Sequence, residues 1–269
     1  MSSVESLDVF VPTESGRLFA RRWTPDTSGV DTSGVDTSGV PIVLLHDSLG
    51  CVDLWRDFPV QLARATGRTV IAYDRLGFGR SDPHEGTLGL DFVAREAQEG
   101  FCAVRDALGL DRYAVFGHSV GGGMAIACAA AHHDACQALI TESAQVYAEE
   151  RTLEGIRQAK VSFAQPGQLD RLKKYHGDKA AWVLSAWIDT WLSPGFADWT
   201  LDAQLAQVRC PALALHGDND EYGSTEHARR IARLAGAQPV IFADCGHVPH
   251  RESPEKVLET VSGWLSGAA

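Results

Sequence analysis

The chain has 269 residues, of which 45% are hydrophobic and 22% charged, and its formal net charge is −11. This composition excludes general disorder and allows a large hydrophobic core in one or two domains. The acidic balance argues against nucleic acid or anionic membranes as partners, because phosphate groups are bound by basic surfaces. No segment approaches the ~20 consecutive apolar residues that a membrane-spanning helix needs.

The start of the chain and its cysteines bear on the cellular compartment. The first eight residues lack the basic and apolar segments of a secretory signal, and the six cysteines include no C-x-x-C pair. We therefore expect a cytoplasmic protein with reduced thiols and no metal or cofactor. Its expected partner is a small-molecule substrate, and a homodimer is left open beside a monomer.

Short apolar segments of strand length alternate with segments of helical spacing. Predicted strands lie at residues 7–12, 16–23, 42–45, 69–73, 113–116, 138–141, 211–216 and 239–242. Predicted helices lie at residues 54–65, 90–108, 121–131, 226–234 and 254–265. The alternation predicts an α/β fold with a mostly parallel sheet of about eight strands and helices on both faces.

Two segments interrupt this alternation. Residues 26–40 repeat Asp-Thr-Ser-Gly-Val three times, which is too short a period for a solenoid and lacks the ligand spacing of a calcium loop, so we predict a surface loop. Residues 144–207 are helix-like and hold four of the seven tryptophans. We predict that they form a helical cap, inserted between core segments 1–143 and 208–269 and covering a site at the strand ends.

The strongest chemical signal is the motif Gly117-His-Ser-Val-Gly121, which lies between a predicted strand and a predicted helix. That context is typical of a nucleophile elbow, in which a sharp turn exposes the serine hydroxyl above the sheet. The following helix offers unpaired N–H groups to a developing oxyanion. Ser119 is therefore the candidate nucleophile.

A serine nucleophile requires a base and an acid that orients it. Two loops at predicted strand ends supply them: His216-Gly-Asp-Asn-Asp220 and Asp244-Cys-Gly-His247. The chain order of serine, acid and histidine fits His247 as the base. On the residues alone, Asp218 and Asp220 are both candidates for the acid.

Taken together, four blocks resemble the α/β-hydrolase superfamily over nearly the whole chain. They are the oxyanion-loop block Leu44–Gly50, the turn Asp74–Ser81, the elbow Gly117–Gly121 and the paired acid and histidine loops. The resemblance implies an α/β-hydrolase fold with an inserted helical cap.

The same resemblance assigns roles to individual residues. It implies Ser119 as nucleophile, His247 as general base and then acid, and Asp220 as the acid, because Asp220 is the third residue after Gly217. Asp218 remains the alternative, with a turn-stabilising carboxylate as its other interpretation. The implied oxyanion donors are the backbone N–H groups of Val120 and Ser48.

Asp47 departs from the family pattern, which usually has glycine there. A carboxylate beside an oxyanion site opposes the charge to be stabilised, so Asp47 either faces outward or takes part in binding or proton transfer. His118, Trp187 and Trp191 are further candidates for substrate binding. The alternative for all three is structural packing.

Serine at the elbow argues against a place for this chain in the branches that resemble haloalkane dehalogenases or epoxide hydrolases, because those branches use aspartate at that position. The resemblance implies acyl transfer to water, and carboxylic esters are the expected substrates. Two alternatives stay open. One is a C–C bond hydrolase or a cofactor-free oxygenase or lyase that uses His247 as a base, and the other is a non-catalytic ligand-binding protein.

Overall fold

The computed structural model describes residues 3–26 and 39–267, so the predicted surface loop at residues 26–40 lies almost entirely outside it. The eight strands form one sheet in the order β1-β2-β4-β3-β5-β6-β7-β8. They are β1 (Val4–Thr13), β2 (Gly16–Pro25), β3 (Ile42–Leu45), β4 (Val70–Tyr73), β5 (Tyr113–His118), β6 (Cys136–Glu142), β7 (Ala212–Gly217) and β8 (Gln238–Phe242).

Strands β1, β2 and β4 pair antiparallel, and every pairing from β4 to β8 is parallel. The helices are α1 (Phe58–Thr66), α2 (Phe92–Arg95), α3 (Gly100–Ala107), α4 (Val120–Ala131), α5 (Glu150–Phe163), α6 (Gln168–His176), α7 (Ala180–Trp191), α8 (Asp202–Leu205), α9 (Glu226–Ala235), α10 (Pro249–Glu252) and α11 (Pro254–Gly267). The predicted fold class is confirmed.

The core consists of two apolar layers, one on each face of the sheet. Because side chains alternate along a strand, β5 sends Tyr113 and Val115 into one layer and Ala114 and Phe116 into the other. Helices α2, α3, α4 and α9 cover the first layer, and α1 and α11 cover the second. Burial on both faces explains why the parallel strands are continuous apolar runs.

The single helix predicted at residues 90–108 is two short helices, α2 and α3. Between them the N–H of Phe101 donates to the carbonyl of Glu96, five residues back. A Cβ at Gly100 would lie 2.3 Å from Oε1 of Glu96, whose carboxylate also accepts a hydrogen bond from the Tyr73 hydroxyl at 2.6 Å. Glu96 therefore turns into the core instead of continuing the helix surface.

Helices α5 to α8 lie between β6 and β7 and interrupt the strand order there. His227 of α9 helps to fix the start of this segment: its Nδ1 accepts from the N–H of Val146 at 3.2 Å, and its Nε2 lies 3.2 Å from the Glu149 carboxylate. Within the described ranges, no helix has the length and apolar character needed to cross a bilayer.

Candidate active site

The turn between β5 and α4 places Ser119 at the carboxyl end of the central strand. Ser119 has φ 57° and ψ −126°, a strained conformation for a residue other than glycine. The flanking glycines permit close backbone contact: a Cβ at Gly117 would lie 2.0 Å from the carbonyl oxygen of Gly121, and one at Gly121 would lie 2.2 Å from that of Leu45. The motif glycines are therefore required by the turn itself.

His247 and Asp220 form a close pair beside this turn. Nδ1 of His247 lies 2.9 Å from each carboxylate oxygen of Asp220. The loop after β7 fixes the carboxylate, since Oδ1 also accepts from the N–H groups of Tyr222 at 2.7 Å and Gly223 at 3.1 Å. Asp218, the alternative acid, is exposed and accepts a hydrogen bond from the N–H of Cys245 at 3.4 Å.

The environment of Asp220 favours its ionised form. Burial acts to raise the pKa of this carboxyl, but hydrogen bonds from His216 and His247 outweigh burial and hold the pKa well below its usual range. His216 is itself buried, and its Nε2 lies 3.2 Å from Oδ2 of Asp220. The ionised carboxylate keeps Nδ1 of His247 protonated, so Nε2 is the nitrogen available as a base.

The Ser119 hydroxyl makes a contact that sequence analysis missed. Its Oγ donates to Oε1 of Gln145 at 3.1 Å. Gln145 is buried and lies in the loop after β6, close to Ser143, which has φ 48°. Ser119 and His247 line the same cavity, but the hydroxyl is directed to the amide of Gln145. No local motif marks Gln145, because only the sheet topology brings β6 beside β5.

The loop after β3 carries one of the two implied oxyanion donors. The carbonyl of Asp47 is held from two sides, by Nδ1 of His46 at 2.8 Å and by Nη2 of Arg75 at 2.9 Å. Ser48 follows and lines the cavity together with Ser119. Val120 is the first residue of α4, so its N–H has no acceptor within the helix. Both backbone groups are thus placed near the nucleophile.

The Asp47 carboxylate neither faces bulk solvent nor points freely into the cavity. Its Oδ1 accepts from the N–H of Leu49 at 2.8 Å, and its Oδ2 lies 3.7 Å from Nδ1 of His118. The side chain is 29% exposed, on the cavity side. Burial acts to raise the pKa of this carboxyl, but His118, His46 and the N–H of Leu49 together outweigh burial and lower it, so Asp47 is ionised at neutral pH.

A buried group of three side chains lies behind the elbow. Ligand atoms of His118, Glu142 and His250 are within 4.8 Å of one another, which makes this the one potential metal-binding group found among the described residues. The Nδ1 of His250 donates to Oε2 of Glu142 at 2.5 Å. A metal ion would have to displace that hydrogen bond. The expectation that no metal is needed stays a prediction.

The site opens into a cavity of about 310 Å³. The core contributes Asp47, His118, Ser119 and His247 to its walls. The helices between β6 and β7 contribute mainly apolar and aromatic side chains, namely Thr152, Ile156, Leu172, Tyr175, Trp187 and Trp191, together with Arg171. All four candidate substrate-binding residues therefore line one cavity. Trp191 also packs against Phe196 and Trp199, whereas Trp187 meets Tyr222.

A family model described as the alpha/beta hydrolase fold matches residues 40–166. A carboxylesterase from Bacillus subtilis superimposes with a TM-score of 0.69 at 21% identity, over 98% of this chain and 93% of that structure. Together with the sheet order and the elbow, these findings show that the chain has the α/β-hydrolase fold, as the sequence motifs predicted.

Two curated relatives extend over most of the chain. A proline iminopeptidase from Lactobacillus delbrueckii subsp. bulgaricus is 25% identical over 264 residues, covering 84% of this chain and 89% of the relative. A 2-hydroxymuconate semialdehyde hydrolase from Pseudomonas sp. strain CF600 is also 25% identical, covering 85% of this chain and 87% of the relative. Both relatives are hydrolases, which supports a hydrolase activity for this chain.

Proposed function

We propose that the protein is a serine hydrolase that cleaves a small carboxylic ester through an acyl-enzyme intermediate. The observation that carries the proposal is the arrangement of three residues around one cavity. Ser119 stands on a strained elbow at its base, and His247 is held by both oxygens of Asp220 at 2.9 Å. This arrangement supports a serine nucleophile with a histidine base that is already oriented.

In the proposed reaction, Oγ of Ser119 attacks the ester carbonyl carbon while its proton passes to Nε2 of His247. The N–H groups of Val120 and Ser48 stabilise the oxyanion that forms. His247 then protonates the leaving alcohol as the C–O bond breaks, and the acyl group remains on Ser119. Water attacks the acyl carbon next while His247 takes its proton. His247 then returns that proton to Oγ of Ser119 as the C–O bond to the serine breaks and the acid is released. No cofactor is needed.

The residues that line the cavity favour a substrate with a small, largely apolar acyl group. Aromatic and aliphatic side chains of α5, α6 and α7 face Ser119 across a volume of about 310 Å³. We therefore propose that residues 144–207 act as a cap that closes the site, which would exclude water from the oxyanion before the acyl-enzyme forms.

A second candidate is hydrolysis of an activated carbon–carbon bond, with His247 as the base. The hydrogen bond from Ser119 to Gln145 favours it, because chemistry in which histidine acts on the substrate first needs no prior contact between serine and histidine. The 2-hydroxymuconate semialdehyde hydrolase relative points the same way.

The deciding experiment compares the wild type with Ser119→Ala on p-nitrophenyl esters of increasing chain length. We expect a burst of nitrophenol and turnover in the wild type and loss of both in the variant. Ser185→Ala, which changes an exposed serine of α7, is the matched control and should behave as the wild type.

Labelling with a fluorophosphonate separates the remaining outcomes. A serine that labels without hydrolysing any ester would mean that Ser119 is a working nucleophile whose substrate is not one of these esters. If the protein neither hydrolyses esters nor labels at Ser119, the esterase proposal is refuted. That outcome would favour base-driven chemistry at His247 or ligand binding alone.

A further inference from the structure

His118, the residue before the nucleophile, contacts two loops through its two ring nitrogens. Its Nε2 lies 2.9 Å from the backbone carbonyl oxygen of His247. Its Nδ1 lies 3.7 Å from Oδ2 of Asp47. The ring is 3% exposed, so water does not replace either partner. One imidazole therefore joins the elbow to the loop of the base and to the oxyanion loop.

The chemistry of these partners favours a proton on each ring nitrogen, on Nε2 through a hydrogen bond and on Nδ1 through an ion pair of 3.7 Å. A carbonyl oxygen only accepts hydrogen bonds, so Nε2 must carry a proton. An ionised carboxylate also only accepts, and it attracts a proton on Nδ1. With both nitrogens protonated, the ring is an imidazolium and carries a full positive charge.

The charged groups around the His118–Asp47 pair are the carboxylate of Glu142 and the guanidinium groups of Arg75 and Arg251, which also attract Asp47. Glu142 of β6 is buried, but the hydrogen bond from His250 and the nearby His118 outweigh the effect of burial and lower the pKa of this carboxyl. His250 of α10, with a ring centroid 5.1 Å away, has its pKa lowered by burial and is neutral. The ring of His247 lies at a centroid distance of 5.1 Å.

We infer that His118 is a positioning residue that acts as an imidazolium, holding the oxyanion loop and the base loop against the elbow and neutralising Asp47 beside the oxyanion site. The inference rests on the proposed function, since it assumes that an oxyanion forms next to Ser119. It also explains how the chain accommodates a carboxylate at the position where its family usually has glycine.

The consequence of losing this proton follows from electrostatics. A neutral His118 removes one of the positive charges that offset the Asp47 carboxylate near the developing negative charge, and like charges in a site shielded from water repel strongly. Burial acts to lower the pKa of His118, but Asp47 and Glu142 outweigh it and raise that pKa above its usual value. The wild type therefore loses kcat, with little change in KM, as the pH rises through the raised pKa.

A double-mutant cycle tests the charge pair. His118→Gln keeps a donor for the His247 carbonyl but carries no charge, so kcat should fall on the order of tenfold to a hundredfold, as for loss of oxyanion stabilisation. Asp47→Asn removes the repelling charge and should remove the alkaline decline in kcat. The combined variant Asp47→Asn with His118→Gln should recover at least tenfold in kcat over His118→Gln alone, a rescue that a merely structural histidine would not give.

The chain offers a matched control pair. His133 and Asp134 lie at the surface with Nε2 and Oδ1 3.5 Å apart, remote from the cavity residues. His133→Gln, Asp134→Asn and their combination should leave kcat and its pH profile as in the wild type. Coupling of the same size in this control cycle, or a combined Asp47 and His118 variant no faster than His118→Gln, would overturn the inference.

A titration of the histidine NMR signals gives a readout that does not depend on activity. The His118 signal, assigned by its absence in His118→Gln, should report an imidazolium at pH 7 in the wild type and a lower pKa in Asp47→Asn. A neutral His118 at pH 7 in the wild type would overturn the inference even if every ester is hydrolysed. If no ester is hydrolysed and Ser119 does not label, the esterase proposal fails, while this titration still decides whether the charge pair exists.

Discussion

His247 and Asp220 are joined through both oxygens of one carboxylate, each 2.9 Å from Nδ1. The carboxylate cannot rotate freely, because backbone N–H groups of Tyr222 and Gly223 bind Oδ1 at 2.7 and 3.1 Å. The imidazole is therefore fixed in orientation and tautomer before any substrate binds. A base held in this way loses little entropy on reaching the transition state.

This relationship predicts which aspartate is the acid. Asp220→Asn should lower kcat by roughly 10²–10⁴-fold, because an amide can donate to Nδ1 and select the wrong tautomer of His247. Asp218→Asn, two residues away and exposed, is the matched control and should retain kcat within about twofold. Steady-state kinetics on one p-nitrophenyl ester would measure both. The assignment of the acid is wrong if Asp218→Asn is the slower variant.

The buried carboxylates also predict how stability depends on pH. The pKa values of Asp47 and Asp220 are lower in the folded protein than in the unfolded chain. The unfolded state therefore binds more protons in acid, so this stabilisation is present in full above about pH 4–5 and is lost as the pH falls.

Urea unfolding of the wild type and Asp220→Asn at pH 6 and pH 3 would measure the effect. The free energy of unfolding of the wild type should exceed that of the variant by roughly 1 kcal/mol more at pH 6 than at pH 3. Asp134→Asn changes an exposed carboxylate and should show no such difference. An equal gap between the wild type and Asp220→Asn at both pH values would contradict the prediction.

Local chemistry explains which parts of the candidate site could be found in the sequence. Ser119 and His247 lie in short motifs whose glycines and flanking strands dictate the turn geometry, so a few consecutive residues specify each position. Gln145 and Glu142 have no such motif. They reach the elbow because β6 pairs with β5, a contact between residues more than 20 positions apart that no local pattern encodes.

The elements of the fold likewise divide into those that local residues encode and those that depend on distant contacts. All eight strands were predicted, and for β3 to β7 an apolar run was enough, since a strand buried on both faces needs only its own residues to be recognised. The break between α2 and α3 was missed because it depends on Glu96 meeting Tyr73 of a distant strand. The orientation of Asp47 was likewise open in the sequence, because its partner His118 is 71 positions away along the chain.

Arg171 predicts a preference for anionic substrates. It lies on α6, lines the cavity, and has no ion-pair partner among residues 3–26 and 39–267. Arg171→Ala should raise KM about fivefold for a p-nitrophenyl monoester of a dicarboxylic acid, as expected for a partly exposed ion pair of about 1 kcal/mol. KM for a neutral ester of similar size should stay within about twofold.

Lys173→Ala serves as the control for that experiment, because Lys173 lies on the same helix but is exposed and paired with Asp170 at 2.9 Å. It should leave both KM values unchanged. Equal changes in KM for the anionic and the neutral ester in Arg171→Ala would mean that the arginine shapes the cavity without binding a charge.

Two of the three tryptophans of α7, Trp187 and Trp191, should differ in their effects on stability and on substrate specificity. Trp191 is 2% exposed and packs against Phe196 and Trp199 at centroid distances of 5.0 and 5.4 Å. Trp191→Ala should therefore destabilise the fold by about 3–5 kcal/mol, measured by urea unfolding. Trp187 is only partly buried and its ring meets Tyr222 at 6.0 Å, on the cavity wall.

Trp187→Ala should cost clearly less stability than Trp191→Ala and should shift the preferred p-nitrophenyl ester to a longer acyl chain, because removing the indole enlarges the cavity. Trp264→Ala is the control, since Trp264 lies on α11 against the opposite apolar layer. It should lower stability and leave the order of kcat/KM across chain lengths as in the wild type. An unchanged order in Trp187→Ala as well would show that Trp187 packs the helices together and does not set the size of the acyl group.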